Sequence, residues 1–135
     1  MNLGHIALAI IISGFAASMT DWFFGGVLFH DKYLTYPEIW RRPEGGGGES
    51  KAVGWSILLG FVTCGAFVVS CAVFQMHGYA AALRFAGAIW LIAPAPLLMT
   101  NALFIKMHPL TVVAHVLGWL AKLLLAAGTV GWLLS

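Results

Sequence analysis

The stretch LGHIALAIIISGFAASMTDWFFGGVLF, Leu3 to Phe29, decides the fold. It stays apolar for longer than the roughly 20 residues a helix needs to cross a bilayer, and Asp21 is its one charged side chain. An ionised carboxylate inside a bilayer helix costs roughly 2.5 to 3.5 kcal/mol on insertion scales, so the protein must offer Asp21 a partner. The segment lacks a basic n-region and outruns the usual h-region, and so reads as a retained span rather than a cleaved signal peptide.

The rest of the chain extends this reading. Of 135 residues, 61% are hydrophobic and 9% charged, against about 25% charged in an ordinary soluble domain. The mean hydropathy of +0.91 leaves too little polar surface for a water-exposed globule. Three further spans are expected at Ala52 to Met76, Leu83 to Ile105 and Leu110 to Leu134; at about 1.5 Å per residue each exceeds the roughly 30 Å hydrocarbon core. A turn at Gln75 to Tyr79 separates the second span from the third, and Lys106 to Pro109 separates the third from the fourth. Such short connections imply antiparallel neighbours. The expected fold is all-α: a single integral membrane domain, residues 1–135, forming a four-helix antiparallel bundle in the lipid bilayer.

The loop 30–51 has soluble character. Thr35-Tyr36-Pro37-Glu38 fits a capping box, which predicts one short interfacial helix ending before Pro43. Trp40, Arg41 and Arg42 would then anchor the membrane interface, and Gly45 to Gly48 would form a flexible return to the second span. Lys32, Arg41, Arg42 and Lys51 in this loop, with Lys106 in the third, face Arg84 alone on the other side. By the positive-inside rule both loops are cytoplasmic and both termini outside. A net charge of +2 without a groove-reading motif argues against nucleic acid as a partner.

Polar and small residues mark the faces that should avoid lipid. Ser13, Ala17, Asp21 and Gly25 recur every fourth residue, Gly14, Ser18, Trp22 and Gly26 form a neighbouring row, and Ser56, Gly60 and Cys64 repeat the pattern on the second span. Cys64 and Cys71 are too far apart on one helix for a disulfide between them and read as packing residues. Ala93-Pro94-Ala95-Pro96 removes two backbone donors and should kink the third span. On the fourth, Thr111, His115, Gly118, Lys122 and Thr129 form a polar seam. Counting depth from the helix ends brings Asp21, Asn101, His115 and Lys122 into one layer. There Asp21 and Lys122 would neutralise each other, as a static cluster fixing helix register or as a proton or cation relay.

No zinc spacing, HxxxH pair, nucleophile elbow, P-loop or dinucleotide fingerprint occurs. No catalytic residue, metal or cofactor is therefore expected, a haem held by histidines from two helices being the alternative kept open.

Phe15 to Tyr33, FAASMTDWFFGGVLFHDKY, resembles the first helix of the DUF1761 family of small four-helix bacterial membrane proteins of unknown function, through Trp22, Phe23, Gly25, Leu28 and Phe29. Phe85 to Phe104 resembles its third helix, through Ala93-Pro94 and Thr100-Asn101-Ala102-Leu103-Phe104. The resemblance implies the fold and a membrane location, and no activity. Thr20-Asp21 departs from the apolar or small residues expected there, so the charged layer is not carried by it.

The leading functional expectation is a non-enzymatic membrane protein working as a homo-oligomer or as an accessory subunit of a larger complex. Second is an oligomeric proton- or ion-coupled carrier of small solutes using the Asp21 layer. Third is a membrane enzyme, or a haem- or quinone-binding subunit, with His115 and Lys122 on its reactive face.

Overall fold

In the computed structural model, which describes residues 2–36, 38 and 48–134, Asn2 caps the first helix by accepting from the Gly4 backbone N–H at 2.9 Å. Helix α1 runs Leu3–Asp21 and continues without a break as a π-helical segment, Trp22–Leu28. The short helix α2 follows at His30–Tyr33, then α3 at Gly48–Val73, α4 at Tyr79–Ile92, α5 at Pro94–Phe104 and α6 at Pro109–Leu133. Four helical stretches, Leu3–Leu28, Ser50–Val73, Tyr79–Phe104 and Pro109–Leu133, are long and apolar enough to cross a membrane. The protein is an all-helical four-helix bundle. Much of its outside is apolar, with Leu3, Phe15, Val62, Leu103, Phe104 and Trp132 exposed, as lipid rather than water as solvent requires.

The local chemistry sets the boundaries. Gln75 and Gly78 take positive φ, 53° and 79°, and turn the chain from α3 into α4. α4 starts at Tyr79, ahead of the expected Leu83, because a glycine in that conformation can release the helix at once. Pro94 and Pro96 lack N–H groups, and the third span breaks at Ala93 (φ −123°, ψ −74°) into α4 and α5. Pro109 opens α6, with His108 Nδ1 accepting from the Leu110 N–H at 3.2 Å.

Helix α6 is the hub. α1, α3, α4 and α5 all pack against it, and α1 also packs along α3. Although a short turn joins α3 to α4, α4 lies along α6; Phe67 and Phe74 meet Phe85 near the turn. The close backbone packing of α4 is against α6, where small Ala82 and Ala86 dock on the equally small Ala126, Ala127 and Val130 side. His77 Nδ1–H donates to the Leu134 carbonyl at 3.1 Å and ties the α3–α4 turn to the C-terminal end. At the opposite end Lys106 meets Glu38 at 3.3 Å and lies over the Tyr36 ring, joining the first loop to the third. The expected interfacial helix and its anchors Trp40, Arg41 and Arg42 fall outside the described residues.

Candidate functional site

The first ladder of small residues delivers Asp21 to α6. Ser13, Gly14 and Ala17 are buried, the Ser13 hydroxyl is committed to the Ala9 carbonyl at 2.6 Å, and the Phe61 ring sits where a Cβ on Gly14 would be. On α6 the facing position is Gly118, whose missing side chain leaves Asp21 Oδ1 3.9 Å from its Cβ direction. One turn further along α6, Lys122 Nζ meets Asp21 Oδ2 at 2.6 Å. The pair is largely withdrawn from the surface, with the Lys122 side chain 12% exposed and that of Asp21 31%. Lys122 also lies over the Trp119 ring, 5.3 Å from its centroid.

Directly after Asp21 the helix changes pitch. The Phe29 N–H reaches back to the Phe24 carbonyl at 3.0 Å, closing an i to i−5 turn. Gly25 and Gly26 favour such a departure, since they weaken ordinary helix while bulky Trp22, Phe23 and Phe24 crowd it. The wider segment and the turn after it bring Tyr33 of α2 back over α6. Its Oη shares a hydrogen bond with His115 Nε2 at 3.2 Å, and the rings meet edge to face. Burial, and then the Asp21 carboxylate, push the Tyr33 phenol above its ordinary range, so it remains a neutral hydroxyl at physiological pH.

These groups do not close on one another as a packed cluster. They line a cavity of about 650 Å³ between the π-helical segment, α3 and α6. Its polar wall is Asp21, Lys122, His115 and Tyr33, and its apolar walls include Phe24, Trp55, Leu59 and Trp119. The cavity exists because α3 stands away from its neighbours over its first turns, where residues from Lys51 to Leu59 are exposed; from Gly60 onward α3 closes on α1. It therefore reaches from the loop end to Thr63 and Lys122, near mid-bundle, where Cys64, Phe67 and Val68 begin the closed core.

Asn101 is not in this layer, contrary to the expectation from depth. On α5, Asn101 shares a face with Leu98 and Ile105, three and four residues away. All three line a separate recess of about 140 Å³, together with the other side of His115. Asn101 is exposed. The α6 seam points inward throughout, with Thr111, Gly118 and Thr129 buried and the Thr129 hydroxyl committed to the Ala126 carbonyl at 2.8 Å.

Sequence reasoning missed Tyr33 and the aromatic walls. The turn at Phe29 breaks the helical repeat that would relate Tyr33 to Asp21; the Gly25-Gly26 pair beside three aromatics was the signal that could have flagged it. Among the described residues no three His, Cys, Asp or Glu side chains gather as a metal cage. Comparison of the chain with protein-family models, with curated proteins and with solved structures gives no match.

Proposed function

We propose that this chain is a subunit of a small oligomeric carrier that binds its solute in the α1–α3–α6 cavity and couples binding to a proton at the Asp21–Lys122 pair. The observation that carries this reading is that the ion pair and the Tyr33–His115 pair border about 650 Å³ of space. A cluster that only fixes helix register needs packed neighbours; space beside charged and titratable groups is what a bound solute needs. Four spans are few for a carrier acting alone, so the working form is a homo-oligomer in a bacterial inner membrane, with termini outside and both longer-charged loops in the cytoplasm. Gly54, Gly87 and Gly128 have open space where a Cβ would point. They favour close approach of another helix, which also suits the second reading, an accessory subunit of a larger complex. The resemblance to the DUF1761 group adds no activity to this reading.

The test is a proton-flux assay in vesicles carrying an entrapped pH indicator, with solutes of different charge added in turn. Wild-type protein should move protons with a solute, and Asp21→Asn accumulated to the same level should not. Normal accumulation with unchanged flux in Asp21→Asn would remove the carrier reading.

A further inference from the structure

The cavity's own groups indicate what it takes. Among the lining residues Lys122, Ser56, Trp55 and Trp119 carry groups that donate hydrogen bonds, while the Tyr33 hydroxyl and the His115 imidazole are bonded to each other. On the accepting side stand the Asp21 carboxylate, already engaged by Lys122, and the Thr63 hydroxyl, whose hydrogen goes to the Leu59 carbonyl at 2.9 Å. The excess of donors fits a ligand head that only accepts. The walls of Phe24, Trp55, Leu59 and Trp119 fit an apolar body. A cationic head would meet Lys122, and a fully polar solute would leave the aromatic walls without contacts.

Charge then fixes a second property. Asp21 and Lys122 sum to zero, and an anion drawing Lys122 N–H bonds to itself leaves the Asp21 carboxylate uncompensated where solvation is poor. The titratable groups facing Asp21 are Lys122 and His115 on α6, Tyr33 on α2 and Cys64 on α3. Lys122 is occupied by the anion, His115 Nε2 is already paired with the Tyr33 hydroxyl, and the Tyr33 phenol and Cys64 thiol already carry their protons. We propose that the cavity binds an amphipathic monovalent anion together with one proton, the anion on Lys122 Nζ and the proton, taken from water, on the Asp21 carboxyl. The inference rests on the carrier reading for its site and deepens it by naming substrate class and stoichiometry. In the bound state the site again sums to zero: ammonium plus anion, and a neutral carboxylic acid.

The probe is octanesulfonate, which stays ionised throughout the working pH range, so any proton taken up belongs to the protein. Octyltrimethylammonium and octyl glucoside serve as cationic and neutral probes of the same chain length. Calorimetric titration of the purified full-length protein, in buffers of different ionisation heat, reads binding and proton uptake together. Octanesulfonate should bind in preference to the other two, with about one proton per anion and an affinity that falls about tenfold per pH unit once the carboxylate is fully ionised. Asp21→Asn, which mimics the protonated acid, should bind with no proton uptake and no pH dependence over that range. Binding of octanesulfonate by wild-type protein without proton uptake, preference for the cation, uptake that persists in Asp21→Asn, or no binding by any probe would each overturn the proposal. Coupled binding without transport in vesicles would leave it standing and overturn the carrier reading alone.

Discussion

At the end that carries both termini, α1, α3, α4 and α6 meet through Ala9, Ser13, Cys71, Ala82, Ala126 and Val130, all buried. At the loop end α3 stands off, α1 changes to a wider helix, and the space between them is bordered by an ion pair and a histidine. The same α6 runs through both halves. The difference lies in what faces it: small residues that let backbones approach, or long polar and aromatic side chains that keep them apart. The closed half supplies the packing that membrane helices depend on, and the open half leaves space beside charged and titratable groups.

The sharpest way to break this comparison is to place a side chain in each half. In Gly131→Val the new Cβ would meet the Tyr79 backbone, whose Cα lies 2.9 Å from that position. This should cost about 1 to 3 kcal/mol or more, seen as a lower unfolding temperature in mild detergent. Gly25→Ala in the open half meets nothing nearer than the Tyr33 hydroxyl at 3.9 Å. It should not lower stability, since nothing clashes and alanine is favoured over glycine inside a helix by about 0.5 to 1 kcal/mol. Equal losses would contradict the division into halves.

The ion pair comes next. Lys122→Met leaves Asp21 without its partner and should cost about 1 to 3 kcal/mol, below the roughly 3 to 5 of a fully buried pair because the Asp21 side chain is 31% exposed. Adding Asp21→Asn should recover most of that stability without restoring flux, which separates the pair's structural worth from its function. If the double substitution transports normally, the pair serves stability alone.

How far the sequence carries the site can be judged from these residues. Asp21 and Lys122 were legible because a charge in an apolar span demands a partner, and helical spacing on α6 placed Lys122 on the polar seam. Asn101 borders His115 but not the cavity, because counting residues from a helix end gives a level in the bundle and not the face that the helix presents. Tyr33 was invisible because its contact depends on a change of helix type and a turn, which no periodicity encodes. The cavity depends on α3 standing off, a tertiary property that the apolar run from Ala52 does not reveal.

A smaller effect should follow from Tyr33→Phe, which removes the hydrogen bond to His115 at a cost of about 0.5 to 1.5 kcal/mol. The Tyr33 phenol is raised in the folded protein, chiefly by burial and further by Asp21, so its contribution is full below the ordinary phenol range. It is lost as pH rises through the raised value. Stability curves of wild type and Tyr33→Phe should therefore differ at neutral pH and converge in strong alkali; a constant gap would mean that the phenol does not feel its burial.

Smallest of all is the Lys106–Glu38 contact. The Glu38 carboxyl is held below the usual range, first by its own backbone N–H and also by Lys106, so its contribution exists above that range and fades as pH falls through the lowered value. Both partners are exposed, and Lys106→Ala should leave the unfolding temperature unchanged at 0.15 M salt.

The central claim, that the open half binds a solute through Asp21 and Lys122, is tested most directly by the vesicle assay with Asp21→Asn and wild type at matched accumulation. Solute-dependent proton movement in wild type and its loss in Asp21→Asn is the expected result. Identical flux from the two proteins would contradict it.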